Sequence, residues 1–206
     1  MQGILRFFAD GGPVMYIILL IMIFGIVIIL ERIAVIRFRN RIDTQTFINR
    51  LIELVQSGNT SRAIEYCSMS DAALPRIARA GLLEMHGKPA DVQNAMELSA
   101  MVEIPKIEKR TGYLSMIANV ATLLGLLGTI LGLINAFAAV AHADAADKAT
   151  LLTAGISVAM NTTAFGLIVA IPCLIAYTFL VETTNELVDE INENIARLYK
   201  HIISSR

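Results

Sequence analysis

Residues 113–141 read YLSMIANVATLLGLLGTILGLINAFAAVA, and residues 154–181 read AGISVAMNTTAFGLIVAIPCLIAYTFLV. Neither run holds an Asp, Glu, Lys or Arg. Each exceeds the roughly 20 apolar residues a helix needs to cross a hydrocarbon core of about 30 Å, so the ends of both should project into water. A shorter apolar run, Val14–Leu30, precedes them, with Gly12-Pro13 in front to extend it. Apolar residues make up 55% of the chain and charged residues 17%, and the mean hydropathy is +0.62. That balance does not suit an ordinary soluble domain, and it predicts an all-α membrane protein with three transmembrane helices.

Orientation follows from the basic residues. Arg32, Arg37, Arg39 and Arg41 come after the first span, and Lys106, Lys109 and Arg110 come before the second. The opposite side offers only Arg6 and Lys148. Positive charge is retained in the cytoplasm, so the N-terminus is expected outside and the C-terminus inside. The resulting plan is a periplasmic N-terminal segment at 1–12, spans at 13–31, 113–141 and 154–181, and a periplasmic turn at 142–153. Residues 32–112 form a cytoplasmic helical region and 182–206 a cytoplasmic helical tail. Ile4, Leu5, Phe7 and Phe8 predict an amphipathic helix lying at the outer interface, with an unstructured terminus as the alternative. The first long apolar run begins only at Val14, so no cleavable signal peptide is expected.

The cytoplasmic region carries helical spacing at Phe47, Leu51, Leu54 and Val55, broken at Ser57-Gly58-Asn59. A second short helix is expected around Ile64 and Cys67, and a third from Leu74 to Met85 opened by Pro75. Gly87-Lys88-Pro89 restarts the chain into a long helix with Asp91 in its first turn, interrupted only by a kink at Pro105 before the second span. After Pro172 neither Gly nor Pro occurs, so the third span should continue into the cytoplasm as one helix. Val181, Thr184, Val188, Ile191, Ile195, Leu198 and Ile202 step by three and four along that tail. This seam suits either the chain's own cytoplasmic helices or a second copy of the chain.

Within the spans, small residues form stripes. Ala118, Ala121, Gly125, Gly128, Gly132 and Ala136 mark the second; Gly155, Ala159, Gly166, Ala170 and Cys173 mark the third, together with Pro172. Gly128 and Gly132 make a GxxxG pair that permits close backbone approach. A three-span monomer offers few surfaces to pack on, so these stripes are expected to meet another subunit or a partner helix. Asn119, Thr122 and Thr129 in the second span, with Asn161, Thr162 and Thr163 in the third, supply hydrogen-bonding groups that cannot ionise. Together they could line a narrow hydrated path. Moving protons through a bilayer needs a titratable group near its centre, and Val14–Leu30, Leu114–Ala141 and Ala154–Val181 contain no Asp, Glu, Lys or Arg. Any carrier carboxylate must therefore come from another polypeptide.

Other classes find no support. There is no nucleophile elbow, phosphate loop or paired carboxylate, so no enzymatic activity is expected. The net charge of −1 and the lack of a basic block argue against nucleic acid. Cys67 and Cys173 have no metal-ligand or redox spacing, and His86, His142 and His201 read as surface residues. No cofactor and no metal are expected.

Several strings resemble the ExbB/TolQ/MotA family of proton-channel subunits. They are Gly11-Gly12-Pro13-Val14-Met15, Glu31-Arg32, Leu123-Leu124-Gly125-Leu126-Leu127-Gly128-Thr129, Gly155-Ile156-Ser157, Thr163-Ala164-Phe165-Gly166-Leu167 and Ala170-Ile171-Pro172. The likeness covers nearly the whole chain and is closest to ExbB and TolQ. It implies a homopentameric ring in the bacterial inner membrane around a single-span partner of the ExbD or TolR type, whose helix carries the essential Asp. A TonB- or TolA-like protein, or a motility component, would then receive the work. The resemblance also implies that Thr129 and Thr163 face the partner's Asp, supported by Thr122, Asn161 and Thr162. The Glu that ExbB and TolQ commonly place five residues before the span-three threonine is Val158 in this chain. The cytoplasmic insert of flagellar stators is not recognisable. The leading expectation is therefore a motor subunit that couples proton motive force to work in the envelope: energised transport, envelope maintenance or motility. The alternative is a membrane scaffold without an ion pathway, which recruits partners through its cytoplasmic helices.

Overall fold

The computed structural model describes residues 11–36 and 43–204. The amphipathic helix expected at the N-terminus falls on residues outside that set, apart from the helical turn entered at Gly11 and Gly12. Among the described residues seven helices run in order: α1 (Gly12–Ala34), α2 (Thr44–Gln56), α3 (Thr60–Ser68), α4 (Ala73–Leu83), α5 (Pro89–Glu108), α6 (Gly112–Ala141) and α7 (Lys148–Ser204). No strand occurs among the described residues. α1, α6 and α7 contain stretches long and apolar enough to cross a membrane. Residues 1–30 and 110–179 belong to one compact unit, and residues 31–109 and 180–206 to another.

In the first unit, α1 buries a narrow stripe of Val14, Met15, Ile18, Gly25 and Ile28. A Cβ on Gly25 would meet Cys173 Sγ at 3.2 Å and Ile117 Cγ2 at 3.4 Å, so α1 lies close against both α6 and α7. Its remaining surface exposes Tyr16, Leu20, Ile23, Phe24 and Val27, as a lipid-facing helix should. Pro172 lies inside α7 without ending it, and its ring is exposed. It is therefore not part of the buried helix contact in which the sequence reading placed it.

The second unit is a soluble-type core. Ile48, Leu51, Cys67, Ile77, Leu82 and Met96 are buried in one cluster with Ile191, Leu198 and Ile202 of α7. The tail seam thus packs on the chain's own helices. The expected register holds: Thr184, Ile191, Leu198 and Ile202 are buried, and Val181, Val188 and Ile195 are half-buried, with Leu180 and Asn194 buried beside them. Polar groups fix the contact at its edge, where Arg197 donates to Asn49 Oδ1 at 3.0 Å. Helix starts follow local chemistry. Asp43 accepts from the Thr46 backbone N–H at 3.3 Å, and Asp91 accepts from the Lys88 backbone N–H at 2.8 Å.

The long cytoplasmic helix departs from expectation. Pro105 lies within α5 and does not break it; the chain breaks instead at Lys109–Thr111, where Arg110 has a φ of 71°. The cause lies far away in sequence. Arg32, 3% exposed, donates to the Ile107 carbonyl at 3.2 Å and to the Lys109 carbonyl. A cation on these carbonyls satisfies groups that have no partner within the helix and suits the negative end of its dipole. α5 therefore stops where the guanidinium caps it.

Candidate functional site

The residues singled out by sequence lie on α6 and α7, which pack antiparallel within the first unit. Their contact is made by the small-residue stripes. A Cβ on Gly125 would sit 3.3 Å from Thr163 Cα and 3.4 Å from Gly166 Cα. One on Gly132 would sit 3.1 Å from the Ala159 backbone nitrogen, and one on Gly155 3.0 Å from Ala136 Cα. A Cβ on Gly128 would overlap the Thr162 side chain. Glycine is needed here for close approach. This corrects the expectation that the stripes meet another subunit: the two spans of one chain consume them on each other.

The same packing sorts the polar residues. Thr162 is 1% exposed; its hydroxyl donates to its own helix at Val158 O (2.7 Å) and lies 3.3 Å from the Gly11 carbonyl at the start of α1. It is enclosed by this chain and offers nothing to a group outside it. Asn161 is half-exposed but stands two residues from Thr163, about 200° around the helix, so the two do not share a face. The proposed grouping of Asn161 and Thr162 with Thr163 is therefore not what the fold brings together.

Thr122, Thr129 and Thr163 remain at the rim of the α6–α7 contact, each half-exposed or exposed. Thr122 donates to Ala118 O at 3.0 Å, and Thr129 donates to Leu126 O at 2.6 Å. Thr163 donates across the contact to Gly125 O at 3.1 Å, which levels it with the glycines of α6. Each hydroxyl hydrogen is thereby committed to a backbone carbonyl. Each oxygen nonetheless keeps lone pairs, so these half-exposed or exposed side chains offer acceptors suited to O–H donors or to a hard cation. Val158, at the place of the family's Glu, is half-buried, and its carbonyl is the acceptor of Thr162.

Outside the spans, Glu103 is 8% exposed and receives Lys106 Nζ at 2.7 Å and Arg76 at 3.4 Å. Burial alone would raise its carboxyl, but these two cations hold it below the usual range. Sequence reading passed over Glu103 and used Arg32 only for orientation and likeness, because their partners are close only once the helices pack. No cluster of metal-ligating side chains occurs among the described residues.

These observations define a helical, three-span membrane protein with neutral oxygen acceptors at the rim of its second and third spans. A model of the MotA/TolQ/ExbB proton channel family matches residues 69–193, and the chain belongs to that family. It is 31% identical over 189 residues to a biopolymer transport protein ExbB homologue of Methanothermobacter thermautotrophicus, covering 91% of this chain and 66% of that one. It is 29% identical over 166 residues to ExbB-like protein 3 of Synechocystis, covering 80% of this chain and 79% of the relative. Over 86 residues it is 37% identical to the Tol-Pal system protein TolQ of Haemophilus influenzae, covering 42% of this chain and 37% of TolQ. The chain thus spans just under two thirds of the archaeal relative's length.

Proposed function

We propose that this chain is the channel subunit of an inner-membrane motor, energised by proton flow and assembled as a ring around a single-span partner that carries a transmembrane Asp. In this reading five copies close the ring, the N-terminus is periplasmic and the C-terminus cytoplasmic. The partner is of the ExbD or TolR kind, and the work passes on to a TonB- or TolA-like protein or a motility component.

The observation that carries this is the acceptor set of Thr122, Thr129 and Thr163 in spans without any ionisable carboxylate. A protonated carboxyl has one O–H to donate, and a threonine oxygen whose own hydrogen is committed can accept it. An ionised carboxylate has only acceptors, so facing it would force a hydroxyl to leave its backbone carbonyl or a water to intervene. The threonines thus favour the neutral form of a partner's Asp at their own level, and charge is released only where other donors take over. Thr163 and Thr129 are the residues of first importance, Thr122 supports them, and Thr162 acts only in holding α1, α6 and α7 together. No step of this kind makes or breaks a bond in a substrate, so the role is not enzymatic.

The test is native mass spectrometry of the protein in mild detergent, alone and co-expressed with any single-span, Asp-bearing protein encoded beside it. A closed ring holding a few copies of the partner is the expected result. A monomer or dimer that ignores the partner would overturn the reading and favour the scaffold.

A further inference from the structure

The polar face of α6 does not end at its threonines. Ser115, Asn119, Thr122 and Thr129 follow one another at steps of four, three and seven, which keeps them on one side of the helix. Asn119 and Thr122 are exposed, and Ser115 is half-exposed. Beside this line, the adjoining exposed side carries Met116, Leu123, Leu127, Ile130 and Ile134, which suits hydrocarbon. An exposed amide on a membrane-spanning helix is costly against lipid, because hydrocarbon offers its two N–H donors and its carbonyl no partner. A protomer whose neighbouring face is fully apolar has a better place for that amide, which is against water.

We infer that Asn119 is a positioning residue of a hydrated exit path, which leads from the level of Thr163 to the cytoplasmic end of α6. This rests on the proton-channel reading above. Gly125 is the residue levelled with Thr163, and Asn119 lies six positions closer to the cytoplasmic end of the span, about 9 Å along the axis at 1.5 Å per residue. That is too far for one carboxyl to touch both, and it leaves room for a short file of waters. The chemistry divides along the face. The threonine oxygens only accept and so favour a neutral carboxyl. Asn119 brings the side-chain N–H donors of this line, which can hold the oxygen of a water while that water passes its proton on. The partner's carboxylic acid loses its proton to the first water and becomes a carboxylate. The proton then leaves along the file, each water giving up one proton as it receives another. Asn119 itself is neither protonated nor ionised.

Two measurements on the ring co-purified with its Asp-bearing partner test this. In a background with Cys67 and Cys173 replaced by Ser, Asn119→Cys should react with a charged, membrane-impermeant methanethiosulfonate. Val120→Cys, at nearly the same depth but about 100° around the helix on the apolar side, should react about a hundredfold more slowly, as an uncharged hydrocarbon environment withholds the thiolate. Equal, slow reaction at both positions would place Asn119 in lipid and overturn the inference. In proteoliposomes loaded with a pH-sensitive dye, Asn119→Leu should lower proton flux about tenfold, the equivalent of one lost hydrogen bond in the rate-limiting step. Asn119→Gln should restore most of it. Native flux in Asn119→Leu, with flux abolished in Thr163→Val, would reject Asn119 alone. Native flux in Thr163→Val would remove the proton-channel reading, and this inference with it.

Discussion

Replacing Gly166 by Ala should destabilise the membrane unit, although alanine is the better helix former. A Cβ at Gly166 would lie 2.7 Å from the Ala121 carbonyl oxygen and 3.1 Å from Gly125 Cα, both backbone atoms that cannot rotate away. Ordinary contact begins at 3.4 Å, so α6 and α7 would have to part by about 0.7 Å, the difference between 3.4 and 2.7. A gap of that size forfeits roughly a quarter to a half of the dispersion energy of each contact it opens. Overpacking of this kind costs about 1–3 kcal/mol, against a gain of at most about 1 kcal/mol from helix propensity. A net loss of about 1–2 kcal/mol is expected for Gly166→Ala. Gly112→Ala supplies the contrast: nothing lies within 4 Å of its Cβ position, so it should be neutral or stabilising. Gly128→Ala should cost at least as much as Gly166→Ala, because its Cβ would lie 2.6 Å from Thr162 Cβ, which no rotation of that side chain can move. Thermal unfolding in detergent, followed by circular dichroism, ranks the three. A Gly166→Ala protein at least as stable as the native one would refute the packing argument.

Arg32→Met removes the cap of α5 and leaves the Ile107 and Lys109 carbonyls without their donor. A loss of about 3 kcal/mol is expected, with faster hydrogen exchange at the end of α5; unchanged exchange there would refute it. Glu103 has a folded pKa depressed below its ordinary value of 4.5, with Lys106 and Arg76 outweighing burial. Its contribution is therefore fully present above that value and is lost as pH falls through the depressed one. Denaturant midpoints should hold above pH 4.5 and drop as the pH falls below it, and Glu103→Gln should flatten that part of the profile. Cys67 is buried and its thiol is pushed up to about 12, chiefly by desolvation. It should stay unmodified by maleimide at about pH 8 until the fold is opened with denaturant.

Much of this architecture is legible in the chain because it rests on local signals. Three runs without charge mark the membrane helices, Pro89 with Asp91 marks the start of α5, and the absence of Gly and Pro after Pro172 foretells the unbroken end of α7. What was not legible depends on partners distant in sequence. The break at Lys109–Thr111 follows from Arg32, which stands about 75 residues away and carries no sign of its target. The glycine stripes announce close packing but not the identity of the other helix, and the structure gives them to α6 and α7 of the same chain. The threonines look alike in sequence. Only packing separates Thr162, sealed against α1, from the half-exposed Thr163, whose hydroxyl reaches across to Gly125 O. Asn161 and Thr163 are near neighbours in the chain yet point to different sides, as helical geometry requires.

The most direct test of the central claim is proton flux through the ring and its Asp-bearing partner in proteoliposomes, comparing native protein with Thr163→Ser and Thr163→Val. Serine keeps the hydroxyl that bonds Gly125 O and its oxygen acceptor, whereas valine keeps only the shape. The account predicts flux retained in the first and abolished in the second, with both complexes intact by native mass spectrometry. Native flux through an intact Thr163→Val complex would contradict it.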